Sequence, residues 1–116
     1  MLQFDNRSIE TEEIMVEKSD VLSELHRVIL ERRENSPDGS YTAYLFEQGE
    51  DKILKKIGEE AAELIIASKN GSRGEIASEA ADLIYHLLVL LAWHDMGPND
   101  VLAELAARRN ETGDNV

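Results

Sequence analysis

The stretch GEEAAELIIASKNGSRGEIASEAADLIYHLL, residues 58–88, decides how this chain folds. In its first half Glu60 and Glu63 stand one helical turn apart, and in its second half Glu79 and Asp82 do the same. Between the halves, Gly71 suits the left-handed position that closes a helix, and residues 72–74 supply a bend. The pattern predicts one helix over about residues 50–70 and another over about residues 75–95, folded into a hairpin. Two carboxylate pairs brought together in this way form a potential site for a divalent cation.

Outward from the hairpin the same periodicity continues. Ser19 or Asp20 is a plausible N-cap for a helix through Val21, Leu22, Leu25, Val28 and Ile29, ending near Glu34. Asn35, Ser36, Pro37, Asp38 and Gly39 form a turn cluster. Ser40 then caps a short helix carrying Tyr41, Tyr44, Leu45 and Phe46, which Gly49 ends. Past Gly97, Pro98 suits the first turn of a last helix that bears Val101, Leu102 and Leu105 and frays after Arg109. No segment alternates with the period of a strand, and no internal repeat appears. The fold class expected is all-α, a helical bundle built on the hairpin.

At 116 residues the chain is one domain in size. Residues 19–110 form the expected domain. Residues 1–18 read as an acidic, loosely ordered extension with a short helix near residues 14–17, and residues 111–116 as a tail. The run from Leu83 to Trp93 is apolar almost all round, and such a helix is buried on more than one side. A domain this small would struggle to cover it alone, so a homodimer or larger homo-oligomer is expected.

Composition narrows the function. A formal net charge of -12 argues against binding nucleic acid or an anionic membrane by Coulomb attraction. A polyanionic ligand is still compatible with this charge if a cation lies between them. Without cysteines there is neither a disulfide framework nor a thiolate metal site. The opening MLQFDNRSIETEE has no basic region followed by an apolar core, and Leu83 to Trp93 is short for a membrane span and contains His86. A soluble, cytoplasmic protein is expected.

Acid-x-x-acid spacing alone says little, because 24 acidic residues make it recur along the chain. The usual reading of such a pair is a solvated helix face. Three features set the central pairs apart. At about 100° per residue, Lys52, Lys56, Glu59, Glu60, Glu63 and Asn70 share a narrow arc beside Ile53, Ile57, Ala61 and Leu64. Glu75, Glu79, Asp82 and His86 likewise form a stripe flanked by Ile76, Leu83, Leu87 and Leu90. These acids therefore border the core, where unpaired charge is costly. Folding about Ser72 sets Glu63 level with Ala81 and Glu60 with Ile84, so the four acids converge. Finally, Lys52, Lys55 and Lys56 precede Glu59 and Glu60, the less favourable order for helical ion pairs. Converging acids short of local cations suit Mg²⁺, which takes oxygen ligands and shares its shell with phosphates.

With these residues in place, GEEAAEL followed by EAADL resembles the ExxE…ExxD signature of the MazG-like all-α nucleoside triphosphate pyrophosphohydrolases. Within that superfamily, SYTAYLFEQG, DKILKKIGEEAAELIIASKNG and EAADLIYHLLVLLA resemble the phosphoribosyl-ATP pyrophosphohydrolases of histidine biosynthesis, over about residues 20–109. The resemblance implies Mg²⁺-dependent hydrolysis of phosphoribosyl-ATP to phosphoribosyl-AMP and pyrophosphate, the second step of that pathway. It makes Glu60, Glu63, Glu79 and Asp82 the metal ligands. No counterpart of the cyclohydrolase activity fused to this one in some members is expected in these 116 residues.

Glu59 is the candidate catalytic residue for positioning or deprotonating water, with a surface pairing to Lys55 as the alternative. Lys52, Lys55 and Lys56 are candidates for phosphate contacts. Ser40, Tyr41 and Thr42 are candidates for ribose or phosphate, although Ser40 as a cap and Tyr41 as packing fit equally. Asn70 is a candidate contact or a cap, and His86 a candidate substrate contact or a satisfied core histidine. Two rivals stand beside this reading: a housecleaning nucleoside triphosphate pyrophosphatase of the same superfamily, and a non-catalytic helical dimerisation module whose acids only solubilise it.

Overall fold

The computed structural model describes residues 20–36 and 38–112, so the expected extension over residues 1–18, with its helix near residues 14–17, lies outside them. Five helices follow in order: α1 Val21–Asn35, α2 Tyr41–Gln48, α3 Glu50–Asn70, α4 Arg73–Trp93 and α5 Pro98–Thr112. There is no strand among the described residues, and the chain is all-α as expected.

Local chemistry explains the boundaries. The Ala43 amide donates to the Ser40 hydroxyl at 3.1 Å, fixing the start of α2. The Glu75 amide donates to the Ser72 hydroxyl at 3.3 Å. That cap lets α4 begin at Arg73, two residues earlier than the Gly74-containing bend suggests. Gly71, at φ 73°, closes α3 as its backbone N–H donates hydrogen bonds to the Ala67 and Ser68 carbonyls. The last helix continues to Thr112 instead of fraying after Arg109.

α3 and α4 pack along their length as the hairpin. Ile29, Leu45, Ile53 and Val89, one from each of the first four helices, are fully buried where these helices meet. At roughly 1.5–3 kcal/mol for each buried side chain, this knot outweighs any single cap, worth about 1 kcal/mol. It gathers around the second half of α4 with Tyr85, Leu88 and Ala92, leaving the first half of α4 to face α3 with its acids. Arg33 ties α1 to the end of α4 by donating to the Ala92 carbonyl at 2.7 Å.

By length and composition α4 is apolar enough to cross a membrane. Its side chains argue for a core helix instead: His86 and Tyr85 are buried against α2, and Glu79 and Asp82 meet Glu60 of α3. One side of α4 is nevertheless uncovered, with Ile84 and Leu87 exposed, as are Ile65 and Ile66 on α3.

Gly49 alone joins α2 to α3, at φ 99° and ψ 177°. Its amide ends α2 on the Leu45 carbonyl at 3.0 Å, and its carbonyl accepts the Ile53 amide at 3.3 Å. This backbone region is essentially closed to residues with a Cβ. A methyl group at this position would meet nothing within 4 Å, so the penalty is conformational and not a clash. Gly49→Ala is expected to destabilise the fold by about 1–3 kcal/mol, as read from urea denaturation midpoints at unchanged m-value.

A candidate metal centre across the helical hairpin

The hairpin brings carboxylates from its two arms together. Ligand atoms of Glu60, Glu79 and Asp82 all lie within 4.8 Å of one another. Glu60 is buried, at 7% exposure, whereas Glu79 and Asp82 are half-buried. Glu63 is more exposed but reaches Glu79, whose carboxyl is pushed up to about 7. Withdrawal from water contributes most to that shift, followed by Glu63 and then Glu60. Two ionised carboxylates cannot hydrogen-bond to each other; a shared proton or a cation must stand between them. Glu60 Oε2 and Glu79 Oε2 accordingly are buried with no hydrogen-bond partner. Unsatisfied, converging oxygen donors of this kind fit Mg²⁺.

One lysine enters the cluster. Lys56 Nζ lies 3.4 Å from Glu59 Oε1 and 3.7 Å from Glu60 Oε1. Partial burial opposes its charge, yet Tyr41 and these two acids hold its ammonium above the usual range. Glu59 is thus paired with Lys56 and not with Lys55, the partner the sequence suggested. Among the described residues no ion pair reaches Glu63, Glu79 or Asp82, whereas Glu60, against the expected shortage of cations, shares the charge of Lys56.

The second block of candidates meets the acids through His86. This residue is 4% exposed, and its Nδ1–H donates to the Asp82 backbone carbonyl at 2.7 Å. A neutral ring then accepts the Tyr41 hydroxyl at Nε2, 2.9 Å away. Burial foremost raises the Tyr41 hydroxyl pKa, with Lys56 opposing and Glu60 reinforcing the shift. Tyr41, His86, Asp82, Glu60 and Lys56 therefore make one connected group.

Other candidates stand apart. The Thr42 hydroxyl is buried and bonded to that of Tyr85, so it is not open to a ligand. Ser40 uses its hydroxyl as the α2 cap. Lys52 lies over the Tyr44 ring, 5.8 Å from its centroid. Lys55 is exposed and makes no ion pair with the four acids. Asn70 is exposed at the hairpin tip, seven residues or roughly 10 Å along the axis from Glu63. Sequence reasoning missed the Thr42–Tyr85 bond and the pairing of His94 with Glu50 at 2.6 Å. Both join residues more than forty positions apart, and no local spacing signals such pairs.

The amino-acid sequence is similar to that of known proteins. Residues 22–109 match the model of the phosphoribosyl-ATP pyrophosphohydrolase family. The chain belongs to that family. It is 68% identical over 94 residues to a phosphoribosyl-ATP pyrophosphatase of Pelotomaculum thermopropionicum, covering 81% of this chain and 96% of that protein. A phosphoribosyl-ATP pyrophosphatase of Geobacter metallireducens is 52% identical over 99 residues, covering 85% of this chain and 91% of the relative. The match to the histidine biosynthesis bifunctional protein HisIE of Bacillus subtilis, also 52% identical, covers 88% of this chain but 49% of that longer one. The matched span of this phosphoribosyl-ATP pyrophosphohydrolase family member holds all four hairpin acids, Lys56, Tyr41 and His86.

Proposed function

We propose that this chain hydrolyses the α–β phosphoanhydride of phosphoribosyl-ATP, giving phosphoribosyl-AMP and pyrophosphate, as the second step of histidine biosynthesis. The observation that carries the chemistry is the pair of buried, partnerless carboxylate oxygens on Glu60 and Glu79 among converging acids. The relatives' names supply the substrate.

Glu60, Glu79 and Asp82, with Glu63 beside them, would hold Mg²⁺. When bound, the ion would neutralise phosphate charge and acidify water. Lys56, already charged and close to the acids, is the candidate to meet an outer phosphate. Glu59 stands at the exposed edge of the cluster, tethered by Lys56, where it can orient the attacking water and take its proton. The Tyr41–His86 link steadies the backbone that carries Asp82.

A second copy is proposed to cover the exposed apolar side chains of α3 and α4, in a soluble, cytoplasmic homodimer. Sedimentation equilibrium should then give twice the chain mass, and Ile66→Glu should shift the protein toward monomer; an unshifted monomer in the parent would refute the dimer.

The decisive assay is pyrophosphate release from phosphoribosyl-ATP with Mg²⁺, set beside the common nucleoside triphosphates. Release from phosphoribosyl-ATP that chelation with EDTA abolishes is expected. Preference for a standard triphosphate would indicate a housecleaning enzyme, and inactivity on all substrates would favour the dimerisation module.

A further inference from the structure

Tyr41 has a polar end and a flat side, and the two face different neighbours. Its hydroxyl meets His86 beside the acids. Its ring helps line a cleft of about 320 Å³ bounded by α1, α2 and α4, together with Leu25, Val28, Ile29, Arg32 and Tyr85. That volume lies near the lower end of the range for small-molecule clefts, about 300–1,000 Å³. Leu25, Val28 and Ile29 present an apolar side from α1. Tyr41 and Tyr85 stack at 6.2 Å with an interplanar angle of 29°. The Tyr85 hydroxyl is taken by Thr42, so this wall offers carbon surface and no unmet polar group.

Arg32 completes the lining. Its side chain is 36% exposed and its guanidinium donates to Glu31 at 2.9 Å, and a planar cation of this kind stacks on heteroaromatic rings. A larger cleft nearby, about 440 Å³, shares Tyr41 and adds Ala43 and Tyr44, but it also carries the acids Asp38 and Glu47 and lacks the aliphatic wall that α1 supplies here.

We infer that the cleft between α1, α2 and α4 receives the heteroaromatic base of the nucleotide substrate, with its phosphates at the hairpin acids and Tyr41 as the joint between the two subsites. This rests on the pyrophosphohydrolase reading above and assigns α1 a part in specificity. An apolar slot discriminates by shape, and blocking one typically lowers affinity on the order of tenfold to a few hundredfold.

The test fills the slot with Val28→Phe and trims its rim with Arg32→Ala. The readouts are AMP affinity by titration calorimetry, KM for phosphoribosyl-ATP, and the thermal shift produced by Mg²⁺ alone. Val28→Phe should weaken AMP binding and raise KM at least tenfold, and Arg32→Ala should do so severalfold, while the Mg²⁺ shift is retained in both. A folded Val28→Phe with parental AMP affinity and KM would overturn the assignment. If Val28→Phe does not fold, parental values in Arg32→Ala overturn it instead. A parent protein that binds AMP sensitively to these changes yet releases no pyrophosphate from phosphoribosyl-ATP would leave the cleft standing and remove the pyrophosphohydrolase reading. An active parent with unaffected cleft variants would do the reverse.

Discussion

Glu79→Gln is expected to lower kcat by a hundredfold to a thousandfold, on the order seen when one preorganised electrostatic partner is lost, and at the same time to raise the thermal midpoint of the metal-free protein at pH 8. The two effects share one cause. Glu79 faces Glu63 and Glu60 with a buried oxygen that nothing satisfies. A neutral amide can donate to a neighbouring carboxylate and removes one charge from the patch, so the metal-free fold gains. The same change deletes an oxygen donor of the proposed Mg²⁺ set and so weakens hold on the phosphates. Stability and turnover therefore move in opposite directions, as is common where a strained site serves function. The measurements are differential scanning calorimetry in EDTA and steady-state pyrophosphate release. Parental kcat in Glu79→Gln would refute the site, and loss of both activity and stability would point to a purely structural role for Glu79.

The second large effect is a pH dependence that Mg²⁺ reverses. Glu79 titrates near 7 in the folded chain against an ordinary value of 4.5. Between those values the folded state holds a proton that the unfolded chain has released. The stability contributed by this group is therefore complete below pH 4.5 and is lost as pH rises through about 7. In EDTA, the thermal midpoint should fall from pH 6 to pH 8 by more in the parent than in Glu79→Gln. Adding Mg²⁺ should raise the midpoint more at pH 8 than at pH 6, because the ion competes with that proton. Calorimetric titrations at pH 6 in buffers of different ionisation enthalpy should detect proton release on binding. A Mg²⁺ shift independent of pH would contradict the linkage.

Much of this was legible in the chain. Period 3.6 patterns, Ser40, Gly49 and Gly71 marked the helices, because caps and left-handed positions depend on chemistry local to each residue, whereas Ser72, read as part of the bend, proves to be the α4 cap. Folding about Ser72 also brought Glu60 near Glu79 and Asp82, since a hairpin converts sequence distance into register. What remained hidden depends on side-chain reach across elements. Lys56 stretches along its own helix to both Glu59 and Glu60, a choice among rotamers that spacing does not make. His86 was ambiguous between core and site, and it turns out to be both: it is buried, and it links Tyr41 to the Asp82 backbone. Thr42 belonged to a block that looked like a ligand contact, but its hydroxyl is committed to Tyr85. The exposed apolar residues of α3 and α4 agree with the sequence expectation that one copy does not cover its own most apolar helix.

The single-residue joint at Gly49 has a mechanical consequence. Tyr41 stands at the opposite end of α2, eight residues or roughly 12 Å from that joint. A rotation of about 10° at the pivot would swing the tyrosine by about 2 Å over a lever of this length. Two side-chain latches oppose that swing at the far end, Tyr41 on His86 and Thr42 on Tyr85. The helix is thus an arm pinned at its tip, and the Tyr85 hydroxyl, through its bond to Thr42, helps set how far the tyrosine can drift from the acids.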